Sequence, residues 1–317
     1  LRASYGIVGN APSIYMANVA YTQSSISGYI YNQMTGTVGN ESIKPEEKHE
    51  IELGLENKFF NNRLGFEISY YNNTIKDQIL STTMPMSSGA SSILLNVGEL
   101  KNHGMEFSMY GTPIENKDWR WDLRGNIAFN RNKVNKLQEG VNELVHDTYD
   151  AAVQLKSIVG QPMGDLYAYT PKTDSKGNKI VGDDGLYVID YSERHKVGNA
   201  MPDAVGGIST SLSYKNIFLD ATVDYRIGGD VLNQPYQYMM EIGNIKESLD
   251  HRNEKHGGLS YYFVGDPADA KCIATTASSG PNGEKIYHDG IILPGAKADG
   301  SVNQQMIPVS YYKTNEF

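Results

Sequence analysis

The sequence predicts an all-β protein whose strands form part of a transmembrane antiparallel β-barrel with long extracellular loops. Three observations lead to this fold class. Apolar and polar residues alternate with a period of two in many segments, short and long connections alternate along the chain, and no segment carries the roughly 18 consecutive apolar residues of a membrane-spanning helix. A barrel strand alternates instead, with apolar side chains toward lipid and polar ones toward the lumen.

Seven segments are predicted as barrel strands. In the second of them, Leu53 and Leu55 share one face while Glu52 and Glu56 share the other. Several segments keep such alternation for about ten residues, whereas strands of soluble proteins usually run about 5–6 residues. That length is typical of barrel strands that cross a membrane. The predicted strands span residues 1–9, 46–58, 64–80, 94–110, 119–130, 206–214 and 217–227.

The connections between these strands alternate strictly in length. Short ones lie at 60–63, 112–118 and 215–216, and long ones at 10–45, 81–93, 131–205 and 228–310. Outer-membrane barrels have tight periplasmic turns and long extracellular loops, whereas a compact soluble domain rarely keeps long loops. We therefore assign residues 1–317 to one barrel domain, with large extracellular loops at 10–45, 131–205 and 228–310.

Composition excludes several other classes of protein. The chain has 317 residues, a mean hydropathy of −0.45, 22 tyrosines and a single cysteine. One cysteine cannot form an internal disulfide framework. A net charge of −9 argues against a nucleic-acid partner, because phosphate binding needs clustered lysine and arginine.

Both ends of the chain follow strand-like patterns. Residues 1–5 begin without the charged and apolar regions of a signal peptide, and residues 311–317 alternate again. We expect the chain to be an internal piece of a longer protein.

Several longer patterns resemble the SusC/RagA family of TonB-linked outer-membrane transporters. They occur in order along nearly the whole chain, beginning with residues 1–10. The others are IKPEE (43–47), ELGLE (52–56), FFNNRL (59–64), NVGELKNHGME (96–106), GTPI (111–114), GQPMG (160–164), YKN (214–216) and GGDV (228–231).

The resemblance implies a place and a function for the chain. It would be the middle-to-late part of a plugged barrel of about 22 strands in the bacterial outer membrane, with the plug and the C-terminal strands outside it. The family imports oligosaccharides or peptides beneath a SusD-like surface lipoprotein. TonB supplies the energy through a segment that is also outside this chain. The resemblance implies neither an enzyme nor a cofactor.

Aromatic residues provide two sets of candidate functional residues. Four on apolar strand faces are candidates for a girdle at the lipid interface, namely Tyr70, Trp119, Trp121 and Tyr225. Six in the long loops could stack on a ligand or anchor a partner, or could fasten the loop to itself. These are Tyr167, Tyr169, Tyr236, Tyr238, Tyr261 and Tyr262.

Other chemical motifs are weak. His251 and His256 stand five residues apart around Glu254, whereas helical zinc motifs place histidines four apart. Asp183 and Asp184 lack the ligand spacing of a calcium loop and are interpreted as a polar turn. Cys272 lies in a loop with no feature that predicts reactivity. We predict no catalytic residue, metal or cofactor.

Two other functions remain open at this point. The alternating strands would also fit a secreted or surface β-sandwich that binds carbohydrate, or a β-rich glycoside hydrolase, whose carboxylates are recognised by distance rather than by sequence. Both rivals would be soluble, whereas a piece of a transporter would need detergent.

Overall fold

A computed structural model describes residues 1–34, 36–137, 140–149, 152–265 and 271–313. The described residues form mainly strands. In chain order these are β1 (Arg2–Asn10), β2 (Tyr21–Ile26), β3 (Tyr29–Met34), β4 (Thr37–Val38), β5 (Glu46–Phe59), β6 (Leu64–Lys76), β7 (Ile79–Thr83), β8 (Ser92–Asn96), β9 (Glu99–Glu115), β10 (Trp119–Lys136), β11 (Glu143–Tyr149), β12 (Val153–Ile158), β13 (Met163–Pro171), β14 (Ile189–Asn199), β15 (Ala204–Tyr214), β16 (Ile217–Ile227), β17 (Leu259–Val264), β18 (Lys271–Ala274), β19 (Tyr287–Ile292) and β20 (Met306–Pro308).

Helices are short. The α-helices are α1 (Gln234–Glu241) and α2 (Val309–Lys313), and 3-10 turns lie at Met86–Ser88, Lys246–Leu249 and Glu254–His256. Within the described residues, none of the helices has the length and apolar character needed to cross a membrane.

The chain divides into two compact units. Unit 1 comprises Leu1–Ala168 and Lys196–Asp230, and unit 2 comprises Tyr169–His195 and Val231–Phe317. The prediction of one barrel domain over 1–317 does not anticipate this division, because periodicity reports strands but not how they cluster.

Unit 1 is built on a seven-stranded antiparallel sheet in the order β1-β5-β6-β9-β10-β15-β16. Tight turns join β5 to β6, β9 to β10 and β15 to β16, all at the same end of the strands. Asn61 and Asn62 (φ 54° and 68°) and Lys215 (φ 52°) adopt left-handed backbone there, a conformation that asparagine tolerates better than most residues. The sheet carries the seven predicted strand segments, with shifted bounds.

Two central strands extend further than the sequence predicts. β9 has 17 residues and β10 has 18, so the turn predicted at 112–118 shrinks to residues 116–118. The prediction ended the fifth strand at residue 130. The strand nevertheless continues, because Lys133 still pairs with Lys101 of β9.

Two other boundaries were predicted wrongly. The segment predicted as one strand at 64–80 ends at Lys76, because Asp77 has φ 52° and redirects the chain into β7. Likewise 94–110 divides at Gly98 (φ 87°) into β8 and β9. Periodicity cannot detect such breaks, since the residues on either side keep alternating.

The predicted loop at 131–205 contains ordered sheet structure. A four-stranded sheet has the order β11-β12-β13-β14. The hairpin β2-β3 lies within the loop 10–45, and a sheet of order β4-β8-β7 includes parts of the loops 10–45 and 81–93. A hydrophobic cluster in unit 1 joins loop residues Val97, Leu137 and Leu144 to Leu100 and Val134 of β9 and β10. Part of the 131–205 loop is therefore packed against β9 and β10.

Unit 2 contains a four-stranded sheet of order β18-β17-β19-β20. Its hydrophobic core consists of Val181, Tyr187, Ile291, Leu293, Ile307 and Val309. The strand-like pattern predicted at 311–317 was wrong for 311–313, which belong to α2; Pro308 directly before the helix fits a helix start. Residues 314–317 lie outside the described residues.

Candidate functional site

The seven-stranded sheet has one polar face and one apolar face. Register places Glu52 opposite Tyr71 and Glu67 opposite Ser108 on one side, whereas Leu53 opposes Tyr70 on the other. The alternation continues into β16, where Asp220 and Asp224 share the polar side and Leu219 and Val223 the apolar side. The polar face borders a concavity of about 820 Å³. We call this polar side the inward face and the apolar side the outward face.

Arg2 links carboxylates of two neighbouring strands on the inward face. It projects from β1 over β5 and β6, where its guanidinium lies 3.0 Å from Glu52 Oε1 and 2.6 Å from Glu67 Oε1. It also donates to Ser69 Oγ at 2.8 Å. Gly54, its partner in register, leaves space for this reach, because a Cβ there would collide with the Arg2 side chain.

Amide and hydroxyl groups continue the inward network. Asn73 Nδ2 donates to Glu50 Oε2, and Asn102 Nδ2 donates to Asn73 Oδ1, both at 3.0 Å. Tyr71 crosses above Gly104 and donates to Asn130 Oδ1 at 3.0 Å. Carboxylates, amides and hydroxyls in this pattern can exchange hydrogen bonds with a hydrated polar solute.

A second polar concavity, of about 290 Å³, lies at the loop end of the sheet. Arg131 Nη2 lies 3.0 Å from Asp203 Oδ1, and Asp230 Oδ2 accepts from the Asn199 backbone N–H at 2.8 Å. Lys196 also lines this concavity.

Asp165 fixes the wall of the second concavity. Its side chain is fully buried, and Oδ1 accepts from Asn199 Nδ2 at 2.6 Å and from Lys196 Nζ at 2.7 Å. Burying a carboxylate is costly unless it is paired and hydrogen-bonded. Asp165 thus holds two lining residues in place.

Two predicted loop tyrosines sit on β13 beside cations. The Lys156 Nζ lies 5.3 Å from the ring centroid of Tyr167, within unit 1. Within unit 2, Tyr169 packs edge-on against Tyr191 at 5.2 Å, and the Arg194 guanidinium lies 4.2 Å from its ring centroid. Both rings remain half-buried, so one edge of each is accessible.

Three other predicted tyrosines are accessible to different degrees. Tyr238 on α1 is exposed, and its hydroxyl accepts from Gln234 Nε2 at 3.4 Å. Tyr236 on the same helix and Tyr262 on β17 are half-buried. Their exposed parts could contact a partner.

Tyr261 is the exception, and the structure does not support the ligand-contact prediction for it. Its side chain is 1% exposed, donates to Asp289 Oδ1 at 2.8 Å and stacks on Tyr287 with centroids 5.5 Å apart. Burial and the Asp289 carboxylate raise the pKa of this phenol well above its usual range. Period-two alternation points Tyr261 and Tyr262 to opposite faces of β17, and only Tyr261 is buried.

The predicted girdle residues lie on the outward face at two levels. Trp119 stacks on Tyr214 at 4.2 Å, and Trp121 Nε1 donates to Thr210 Oγ1 at 2.8 Å, both near the tight turns. Tyr70 lies six residues beyond Leu64, the first residue of β6, and Tyr225 lies eight residues beyond Ile217, the first residue of β16. At ~3.3 Å per residue, these two tyrosines are about 20–26 Å from the turn end of their strands. An apolar band flanked by two aromatic levels is typical of a strand that crosses a membrane.

Within the described ranges, no second layer covers the outward face. Ile208 and Val223 are 57% and 64% exposed at the centre of β15 and β16, and Leu53 on β5 is 50% exposed. A β-sandwich would bury these side chains against a facing sheet. The carbohydrate-binding sandwich considered from the sequence is therefore a poor fit.

The weak motifs take ordinary structural roles. His256 Nδ1 contacts Asn253 Oδ1 at 2.7 Å and His251 Nδ1 contacts the Gly257 carbonyl at 3.2 Å, so both rings engage their own loop. Asp184 Oδ1 accepts from the Leu186 backbone N–H, as in a polar turn. In the part of the chain that the structure describes, no three His, Cys, Asp or Glu side chains gather as a metal site.

Sequence reasoning missed the residues that organise the inward face and the second concavity. Arg2, Asn73 and Asn102 occupy polar positions of alternating strands, so parity within each strand could have singled them out. The grouping of Asp165 with Lys196 and Asn199 had no such signal, because more than thirty positions separate them.

Comparison with known proteins gives a family match. Residues 1–237 match the family described as "TonB dependent receptor-like, beta-barrel". The TonB-dependent receptor P3 of Formosa agariphila is 29% identical over 269 residues, which is 77% of this chain and 26% of that protein. The TonB-dependent receptor SusC of Bacteroides thetaiotaomicron is 27% identical over 82% of this chain and 28% of its own length.

Solved structures give the same result. The RagAB peptide transporter aligns with a TM-score of 0.61 and 28% identity, covering 75% of this chain and 28% of the other. The RagAB peptide importer in the "closed-closed" state aligns with a TM-score of 0.57 and 27% identity, covering 72% and 26%. The chain thus spans about a quarter of the length of the relatives it matches.

Proposed function

This chain belongs to the TonB-dependent receptor-like β-barrel family, and on that premise we propose that it forms part of the wall of an outer-membrane importer. The cargo is an oligosaccharide or a peptide, and transport is driven through TonB. The family is one of outer-membrane transporters and receptors rather than enzymes.

The two-faced sheet is the observation that carries this proposal. Its outward face exposes an uncovered apolar band, which is stable only against lipid or another apolar surface. Its inward face lines a concavity with carboxylates, amides and one guanidinium. A wall that is apolar outside and hydrogen-bonding inside suits a path for a hydrated solute.

The loops are the proposed contact region for a lid and for the cargo. The proposed partner is a SusD-like surface lipoprotein, and RagAB, a relative, is named as a peptide transporter. Rigid aromatic rings give large contact area at low entropic cost. We therefore retain Tyr167, Tyr169, Tyr236, Tyr238 and Tyr262 as contacts for ligand or partner and omit Tyr261.

The outward aromatics have a separate proposed role. Tyr70, Trp119, Trp121 and Tyr225 would lie at the two membrane interfaces, where amphipathic rings are favoured. The hydrogen bonds of Trp121 to Thr210 and of Tyr225 to the Asn126 carbonyl satisfy their polar atoms within the sheet.

Growth on a defined nutrient tests the function. The gene for the full-length protein would be deleted, and growth measured on oligosaccharides or on peptides as the sole carbon source. We expect growth on one class to fail and to return with the full-length gene, but not in a strain that lacks TonB. Unchanged growth and uptake on both classes would overturn the proposal.

A further inference from the structure

The chemistry of the two faces reverses at the loop end of β6, β9 and β10. In the apolar band, Tyr70, Met105 and Phe129 point outward in one row across these strands. Two positions further on, the outward row becomes Asn72, His103 and Arg131, and then Thr74, Lys101 and Lys133. No bulge interrupts the pairing over these rows, so all of these side chains stay on one face.

The inward positions change in the opposite sense. Ile75, Leu100 and Val134 alternate with the outward basic residues, and Leu100 and Val134 are 8% and 4% exposed beneath loop residues. The strands therefore leave the apolar band and continue as a layer with a buried inner side and a basic outer side.

The centre of the basic surface is a pair of lysines. Lys101 and Lys133 stand directly opposite each other on β9 and β10, and both side chains are exposed. Like charges directly opposite on neighbouring strands are destabilising. Among the described residues, neither ammonium forms an ion pair within 4.0 Å.

The surrounding charges do not neutralise this pair. Arg131 is already bound to Asp203 at 3.0 Å. Glu47 and Glu99 are the outward acids of the next row, where both are Cα partners of Lys76. His103 stands opposite Arg131 and is exposed. The surface formed by Lys101, His103, Arg131 and Lys133, which we call the basic rim, thus keeps an excess of positive charge.

The height of the basic rim fits a lipid headgroup. Lys101 and Lys133 lie four residues beyond Met105 and Phe129, which is about 13 Å along the strand and about 10 Å along the membrane normal at a tilt of ~40°. Headgroup layers occupy roughly 5–8 Å beyond each side of the hydrocarbon core, and the long, flexible lysine side chains can reach back from their Cα positions into that layer.

We propose that the basic rim binds the phosphate of a phosphorylated glycolipid in the outer leaflet. Continuity with the apolar band selects a lipid over a soluble anion, because acyl chains would pack on Met105 and Phe129 while the phosphate bridges the two ammonium groups. The inference goes beyond import and requires only that the loop end faces the outer leaflet. Opposed Cβ atoms about 4.5–5.5 Å apart let two lysines share one phosphate.

Lipid retention by the full-length protein tests the proposal. Protein in phosphatidylcholine vesicles with or without lipopolysaccharide would be re-extracted, and retained glycolipid counted by native mass spectrometry. We expect Lys101→Gln with Lys133→Gln to reduce retention at least tenfold, and dephosphorylated lipopolysaccharide to be retained as poorly. Lys117→Gln with Lys215→Gln, two exposed turn lysines at the other end of the sheet, is the matched control and should retain lipid normally.

A second pair of variants, a folding control and a competition experiment separate lipid binding from misfolding and from binding of a soluble anion. Lys101→Arg with Lys133→Arg should retain the glycolipid, and all variants should keep heat-modifiable mobility, which excludes misfolding as the cause. Equal retention by wild type and the glutamine pair would overturn the proposal. Full displacement by millimolar inorganic phosphate would also overturn it, because the site would then serve a soluble anion. Since retention is measured without transport, these outcomes are independent of the cargo.

Discussion

Lys196 and Asp165 form an ion pair in which the carboxylate is fully buried and the lysine is 42% exposed, with Nζ 2.7 Å from Oδ1. Asn199 donates to the same oxygen at 2.6 Å. The pair ties the start of β13 to the end of β14 within unit 1.

Breaking this pair should destabilise the wall of the second concavity locally. Lys196→Met leaves the Asp165 carboxylate buried with only Asn199 as partner, and we expect a local loss of about 1–3 kcal/mol, less than for a fully buried pair because Lys196 is partly solvated. Hydrogen exchange of β13 amides measures the effect. Adding Asp165→Asn to the Lys196→Met variant should restore much of the protection of these amides from exchange. An unchanged exchange rate in Lys196→Met alone would refute a stabilising role of the ion pair.

The orientation of the sheet faces predicts an asymmetry between neighbouring residues of β15. Ile208→Arg places a charge on the outward face, where it should cost about 2–4 kcal/mol near mid-bilayer. Ser209→Arg, the matched control, points inward and should be tolerated. Urea unfolding of the full-length protein in lipid vesicles measures both, and equal destabilisation would contradict the assignment of faces.

The environment of Cys272 predicts slow alkylation. Burial, assisted by the Asp289 carboxylate, raises the pKa of this thiol to about 11. The raised pKa keeps the thiol protonated at neutral pH, so its reaction with iodoacetamide should quicken about tenfold per pH unit up to pH 10. Ser278→Cys in a Cys272→Ser background provides an exposed thiol, which should react at least about 100-fold faster at pH 7.5. Comparable rates would contradict the burial.

The same substitution tests topology in intact cells. Ser278 lies in the long connection that follows β16 in the chain, whereas Lys117 lies in the tight turn between β9 and β10. A membrane-impermeant maleimide should label Ser278→Cys and spare Lys117→Cys, both in the Cys272→Ser background, until the cells are broken. Labelling of Lys117→Cys alone would reverse the proposed orientation.

The loop tyrosines separate into contact and packing residues. Replacing Tyr236, Tyr238 and Tyr262 together with alanine should weaken lipoprotein retention or uptake while barrel assembly persists. Tyr261→Phe removes only the hydrogen bond to Asp289, so it should lower stability by about 0.5–1.5 kcal/mol and leave retention unchanged. Co-purification of the lipoprotein, uptake and thermal unfolding provide the readouts; if the triple variant retains both lipoprotein and uptake, these rings serve only to pack the loop.

The sequence alone determined the architecture of the barrel wall. A period of two shows directly that Leu53 and Glu52 lie on opposite faces of the strand, because successive side chains of a strand point to opposite sides. The asparagines at 61–62 marked a tight turn because they tolerate left-handed backbone. Family patterns such as NVGELKNHGME could be recognised for the same reason: their information is local in the chain.

Tertiary structure decided what depends on residues far apart in the chain. The sequence ended the fifth strand at residue 130, yet β10 continues to Lys136, where residues of the following loop such as Leu144 cover its inward side. The same packing buries the inward side of these strands, so Lys101 and Lys133 on the outward side remain exposed. Tyr261 and Tyr262 look equivalent in the sequence, but packing against Tyr287 and Asp289 buries only the first. Burial depends on contacts between segments that are distant in the chain, and a local sequence pattern does not contain that information.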